Sequence, residues 1–331
     1  MTSIGSLTRA AIDDAAQQIE AFATRTPLLE SATLNALLKG RILIKAEMLQ
    51  RTGSFKFRGA YNRISRIPAD ERERGVVAFS SGNHAQAVAA AAKLCGLSAH
   101  IVMPATAPDI KADRTRGFGA EVILFAGDRV EMQAFAHNLA RERNAILVPP
   151  FDDFRVMAGQ GTVGAEVSAQ CAALDVSPDA VLVPCSGGGL VAGVATALSD
   201  DFPSTSIYAV EPEGYDDTRR SLLAGERLIN ESGAASICDA LLVPQPGELT
   251  FEINRRLLAG AFAVPDTETE RAMAALFSHL RLVAEPGGAI ALAACTSGAM
   301  DCRGRTVVII ASGGNVDPAR FAHAIGTYDA R

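Results

Sequence analysis

The chain has 331 residues, 48 % hydrophobic and 21 % charged, with a net charge of −6. That length exceeds one minimal core and asks for one large or two closely packed domains. No basic cluster marks a nucleic-acid partner, and no apolar run reaches the ~18 residues that a membrane span needs.

The opening segment MTSIGSLTRAAIDDAAQQIE has no apolar stretch and carries acids early, so no secretory leader is expected. RILIKAE (41–47) reads as a strand. GVVAFSS (75–81) is a second, followed by a helix through HAQAVAAAAKLCG, with Asn83 as its expected cap and Gly96 as its stop. SAHIVMP (98–104), a helix and AEVILFA (120–126) come next. AVLVPCS (180–186), SIYAVEP (206–212) and RTVVIIAS (305–312) complete the apolar, β-branched runs. Strands alternating with alanine-rich helices predict a parallel sheet covered on both faces. Paired prolines in ILVPPFDDF (146–154) mark a seam, so that 75–150 form a compact α/β unit and the rest a larger one. No appended C-terminal regulatory domain is expected after SGGNVDPARFAHAIGTYDAR. The six cysteines lie at 95, 171, 185, 238, 295 and 302, without metal-ligand spacing, and read as reduced thiols of a cytoplasmic protein.

Three glycine-containing loops and one lysine carry the chemistry. In VLVPCSGGGLVAGVATAL (181–198), a strand ends at Pro184 and a helix begins near Leu190. Three successive glycines let backbone N–H groups converge beside the positive end of a helix, which makes an anion site. Gly187, Gly189 and Ala192 also match G-x-G-x-x-A, and Glu211 stands 22 residues after Gly189, as in a dinucleotide-binding fold. In FSSGNHAQAVA (79–89), Ser80, Ser81 and Asn83 crowd a helix start and offer hydrogen bonds to an anion; plain capping is the alternative. In VVIIASGGNVD (307–317), Ser312 ends a buried strand, at the sheet edge where ligands bind. TGSFKFRGA (52–60) sets Lys56 between two phenylalanines. Apolar neighbours favour the neutral, nucleophilic amine; a lysine whose head snorkels to water is the blander alternative.

In that chain order, SFKFRGA, SSGNHAQA, SGGGL and SGGNVD resemble the serine/threonine dehydratase and serine racemase group of pyridoxal-phosphate enzymes, fold type II, from about residue 25 to the end. The resemblance implies two open parallel twisted sheets with helices on both faces, as in the tryptophan synthase β fold. A large domain (1–70 and 153–331) would hold the cofactor, with a small domain (75–150) inserted in it. Lys56 would form the Schiff base with the cofactor aldehyde and Phe55 would pack on its ring. Asn83 would bond the ring hydroxyl, and Ser186, Gly187, Gly188, Gly189 and Leu190 would cradle the phosphate. Ser312 would meet the pyridine nitrogen; a hydroxyl there disfavours a long-lived carbanion and favours prompt expulsion of a β-leaving group. Ser80, Ser81 and His84 would line the substrate carboxylate site, with Ser81 as the acid/base opposite Lys56.

The implied activity is that of a lyase, an ammonia-lyase (dehydratase) that turns a 3-hydroxy amino acid such as L-threonine or L-serine into a 2-oxo acid and ammonia. 3-Hydroxyaspartate dehydration and serine racemisation are alternatives on the same scaffold. A Rossmann oxidoreductase using NAD is the alternative of another class; it leaves Lys56 and two of the loops unexplained. In metal-activated members, carboxylates at the positions of Glu211 and Asp217 and a backbone carbonyl at that of Tyr215 bind Mg²⁺ or a similar cation. Tyr215 departs from the small residue usual there. Glu285 either approaches the cofactor or caps a helix. Phe151 would wall the substrate pocket. An acidic substrate side chain would call for a cation that the sequence does not single out. A homodimer is expected by family analogy.

Overall fold

The structure, a computed structural model, describes residues 6–107, 109–231 and 233–328, without the side chain of Ile110. The first five residues of the opening segment and the last three of the chain lie outside the described residues.

The strands are β1 (Leu28–Glu30), β2 (Arg41–Ala46), β3 (Val76–Phe79), β4 (Ala99–Pro104), β5 (Glu121–Phe125), β6 (Ile146–Leu147), β7 (Ala180–Pro184), β8 (Ser206–Pro212), β9 (Gly260–Val264) and β10 (Thr306–Ala311). They form a six-stranded sheet of order β1-β2-β10-β7-β8-β9 and a four-stranded sheet of order β5-β4-β3-β6. All pairings are parallel except β1 with β2.

The helices begin with α1 (Arg9–Ile19), α2 (Ala32–Leu38), α3 (Lys56–Ile64), α4 (Asn83–Cys95), α5 (Asp109–Gly117) and α6 (Arg129–Glu142). They continue with α7 (Phe154–Ala173), α8 (Gly189–Leu198), α9 (Asp217–Ala224), α10 (Glu248–Leu257), α11 (Asp266–Leu280), α12 (Pro286–Thr296) and α13 (Pro318–Thr327). Among the described residues, none is long and apolar enough to cross a membrane.

The strand sequences explain the layering. Successive side chains of a strand point to opposite faces. In β2, Ile42 and Ile44 join a core with α11 and α12, while Leu43 joins the core of α7 and α8 on the other face. Val181 and Val183 alternate with Ala180 and Leu182 in the same way, as do Val308 and Ile310 with Val307 and Ile309. The small sheet repeats the pattern: Val76 and Ala78 pack with α3 and α4, and Val77 packs with α6. Each buried Val, Leu or Ile contributes roughly 1.5–3 kcal/mol, and continuously apolar strands are stable only when covered twice.

α4 ends as expected, with Gly96 left-handed at φ 71°. Its start differs from expectation. Gly82 occupies the cap position and Asn83 is the first helical residue, its side chain turned to tertiary partners instead of the helix end.

Candidate active site

A cavity of about 760 Å³ opens between the sheets, lined from one side by the segments after β3, β4 and β5 and from the other by those after β7 and β10. Every loop singled out in the sequence reaches it, and it lies at the carboxyl ends of the strands, where α/β sheets bind ligands.

Lys56 opens α3 and faces this cavity. Phe57 is fully buried in the small-sheet core, against Tyr61, and anchors the helix. Phe55 stays on the other side, its ring centroid 5.2 Å from Lys56 Nζ. The lysine therefore touches one ring, not two. A turn with Thr52 at φ 65° and Gly53 at φ 77° delivers the chain to this point. A side chain at Gly53 would strike Asn315, 2.7 Å from its Cβ. Phe55 N donates to Ser312 O at 3.1 Å, and Ser54 bridges to Gly313, so the lysine loop is stitched to the third glycine loop. Lys56 Nζ donates to Pro150 O at 2.8 Å and has no carboxylate partner among the described residues. Burial pushes its pKa down to about 8.

The glycine triplet occupies the opposite wall. Gly188 has φ +90°, and a Cβ there would lie 2.6 Å from Asn254. One at Gly187 would lie 2.4 Å from the Phe151 ring. The loop carbonyls are tied back into the protein. Gly187 O accepts from Thr250 Oγ1 at 2.6 Å and from Gly247 N, and Gly188 O accepts from Asn254 Nδ2. The first N–H groups of α8 have no partner inside their helix, so the loop offers donors where α8 is positive. Ser186 Oγ accepts from Val243 N at 3.3 Å. A cradle that excludes side chains and presents N–H groups fits a phosphate.

Ser80, Ser81, Asn83 and His84 line the same cavity. Ser80 Oγ accepts from Gly82 N at 3.2 Å. Asn83 Nδ2 donates to Glu285, and Asn83 Oδ1 accepts from Asn315 Nδ2 at 2.7 Å. Glu285 heads α12 but makes no capping bond; burial, reinforced by Asp239, raises its pKa to about 7. The His84 ring donates Nε2–H to Val148 O at 2.9 Å, and its buried Nδ1 has no partner among the described residues. Burial, then the Lys56 charge, pushes its pKa down to about 3, so the ring is neutral at physiological pH. An anion at this wall would therefore meet hydroxyl and N–H groups, not a histidine cation. Ser312 Oγ, at the end of β10, reaches Gly287 O at 3.4 Å and lines the cavity.

The acidic trio lies elsewhere. Glu211, Tyr215 and Asp217 do not line this cavity. The Glu211 carboxylate accepts Thr218 N at 2.9 Å and Arg219 N at 2.8 Å. It is committed to the start of α9 and cannot serve a ribose as the dinucleotide reading requires. Tyr215 donates its hydroxyl to Ala234 O at 3.0 Å. Asp217 accepts from Asn230, while its buried Oδ2 has no partner among the described residues.

Sequence reasoning missed Pro150, Asn315 and the cavity-facing Arg129. The seam ILVPPFDDF held the only signal for the first; Asn315 acts through Thr52 and Asn83, distant in sequence, and nothing in the sequence singles out Arg129.

A lysine in a desolvated pocket facing a glycine cradle suited to a phosphate, between two sheets of this order, is what a pyridoxal-phosphate enzyme requires. The chain belongs to that class: the family model for pyridoxal-phosphate dependent enzymes matches residues 19–313. Its relatives include the catabolic L-threonine dehydratase TdcB of Staphylococcus aureus, 40 % identical over 320 residues, covering 95 % of this chain and 90 % of the relative. The solved T.th. threonine deaminase is 40 % identical with a TM-score of 0.89, covering 95 % of this chain and 99 % of the other. Serine racemase from Dictyostelium discoideum is 35 % identical with a TM-score of 0.86, covering 95 % and 100 %.

Proposed function

We propose that this protein is a pyridoxal-phosphate-dependent ammonia-lyase that converts a 3-hydroxy amino acid of the L-threonine/L-serine type to a 2-oxo acid and ammonia by α,β-elimination. The observation that carries the reading is Lys56, uncharged at little cost because its pKa is near 8, in one cavity with the Ser186–Leu190 cradle. Pyridoxal phosphate, when bound, supplies an electrophilic aldehyde and a ring that draws electrons from the substrate α-carbon. The cradle N–H groups would hold its phosphate, Phe55 would pack on its ring, Asn83 would bond the ring hydroxyl, and Ser312 would offer its hydroxyl to the ring nitrogen. The neutral Lys56 amine takes the α-proton as general base. The β-hydroxyl departs as water, protonated by the Lys56 ammonium that the α-proton transfer leaves behind. Ser80 and Ser81 receive the α-carboxylate. Phe151 walls the pocket beside the glycine loop. Ser81 lines the cavity with Lys56, which supports racemisation as a side reaction if it returns a proton to the α-carbon.

The test is borohydride reduction of the purified holoenzyme followed by peptide mass spectrometry, with a keto-acid assay on serine and threonine. A cofactor mass on Lys56 together with keto-acid release is expected; an unmodified Lys56 peptide would sink the proposal.

In the metal reading, Glu211 and Asp217, with the backbone carbonyl of Tyr215, would hold a hard divalent cation such as Mg²⁺. Burial and their mutual repulsion hold Glu211 well above the carboxylate range, and burial lifts Asp217 to about 7. A stranded Asp217 oxygen beside a second carboxylate calls for positive charge. Mg²⁺ should raise the melting temperature of the wild type and not of Asp217→Asn. The sheets, one within 76–147 and one from 28–46 and 180–311, support a small domain of 75–150 within a large one of 1–70 and 153–331. A cytoplasmic homodimer is part of the same reading, by family resemblance, and sedimentation tests the stoichiometry.

A further inference from the structure

Four cations line the cavity: Lys56, Lys111, Arg129 and Arg227. Three are engaged. Lys56 donates to Pro150 O, Lys111 pairs with Asp239, and Arg227 bonds Pro246 O, Gln245 and Glu248. The lining carboxylates are likewise spoken for. Asp128 accepts Glu131 N, Asp152 accepts the first N–H groups of α10, and Glu285 accepts from Asn83. Arg129 alone among these cations makes no hydrogen bond or ion pair with any described residue.

Its position is not explained by helix stability. Arg129 is the first residue of α6, whose positive end disfavours a cation. The reciprocal Asp128–Glu131 capping box satisfies that helix start without it. Across the cavity, Asp239 is already paired with Lys111, so two cations from the small-sheet side meet one carboxylate from the other. Surrounding protein lowers the Arg129 pKa while Tyr215 and Asp239 favour its charge, and the side chain stays exposed to solvent through the cavity. A guanidinium matches a carboxylate with two parallel hydrogen bonds.

We infer that Arg129 receives a side-chain carboxylate of the substrate, so that this site prefers a 3-hydroxy amino dicarboxylate, such as 3-hydroxyaspartate, over serine and threonine. The inference rests on the elimination reading above and deepens it. The reaction is unchanged: the Cα–H and Cβ–O bonds break, and after hydrolysis a 2-oxo dicarboxylate and ammonia leave.

The test compares wild type, Arg129→Ala and Arg129→Lys holoenzymes on L-serine, L-threonine and the threo and erythro isomers of 3-hydroxyaspartate. The wild-type preference for a dicarboxylate in kcat/KM should fall roughly 10- to 100-fold in Arg129→Ala, carried by KM, with partial recovery in Arg129→Lys. A parallel calorimetric titration uses succinate and propionate; succinate should bind wild type more tightly, and Arg129→Ala should lose that advantage. Serine turnover with no Arg129-dependent preference for either dicarboxylate probe would overturn this inference and leave the elimination reading standing. Arg129-dependent succinate binding without turnover of any of the four amino acids would support the anion site and overturn the elimination reading.

Discussion

Two lysines set into the fold, Lys45 fully buried and Lys56 half-buried at the cavity, have opposite surroundings. Lys45, next to last in β2, is fully buried, donating to Thr26 O at 2.7 Å, to Gln170 Oε1 at 2.9 Å and to Glu166. Glu166 also takes the Arg58 guanidinium, at 2.7 Å and 3.0 Å, and Arg58 reaches Glu47 at 2.8 Å. All three donors of the Lys45 ammonium are used, and two cations face two carboxylates. Lys56 has one carbonyl and, among the described residues, no counter-ion. Burial lowers the pKa of both, but Glu166 and Glu47 oppose it at Lys45, and nothing opposes it at Lys56. Burial therefore does not make a lysine reactive. Burial without a saturating partner set does.

The comparison breaks most sharply at Lys56 itself. Lys56→Ala should lower elimination at least ~1,000-fold, the upper range for a lost general base. Its melting temperature should not fall, because the replaced group is a desolvated charge that no ion pair holds. Keto-acid release and a thermal melt on the same sample check both halves. Activity near wild type would show that Lys56 is only another packed lysine.

The opposite result is expected at the other lysine's network. Glu166→Gln leaves Lys45 and Arg58 sharing one buried carboxylate, at a cost of about 3–5 kcal/mol in stability. Activity per folded molecule should stay within a few-fold, because Glu166 does not line the cavity. Urea unfolding and active-site titration separate the two effects. A variant that is stable but inactive would mean that the network acts on catalysis directly.

Much of this contrast was legible in the sequence, and its limits are physical. Seven strands declare themselves by β-branched apolar runs, because both faces of a parallel sheet must be buried. The missed strands are β1, β6 and β9. The first two are very short. GAFAV of β9 is a half-buried edge, poor in β-branched residues, that exists because β8 offers it a pairing surface. The glycine triplet was legible because left-handed backbone and close approach leave few other residues possible. Pro150, Asn315 and Glu166 were not, since their importance is a contact made across the fold. F-K-F and I-K-A look equally ordinary in one dimension; only the partners tell the two lysines apart.

A pH profile sharpens the contrast further. The folded-state pKa of Lys56, about 8, lies below the ordinary lysine value of 10.5. Between those values the unfolded chain binds the extra proton, so stability of the cofactor-free protein should rise with pH across that window and fall as pH drops through about 8. Lys56→Met should flatten this segment of the profile. The rate of cofactor incorporation into the apo-protein should climb over the same range, since only the neutral amine attacks the aldehyde. A rate that does not change from pH 7 to pH 9 would show that Lys56 is not titrating there.

The smallest effect is expected at Lys45→Met, and it discriminates best between burial and partnering. Methionine fills the same channel with no charge to desolvate. Thr26 O keeps a donor, since Gln170 Nε2 also reaches it at 2.9 Å. Glu166 keeps both bonds from Arg58 and retains 18 % side-chain exposure, so its carboxylate is not stranded. Gln170 Oε1 loses its lysine donor. The net cost should be about 1 kcal/mol, well below that of Glu166→Gln. Were the two substitutions equally costly in urea unfolding, the Lys45 charge itself would be what the fold needs, and the saturated partner set could not account for the difference between these lysines.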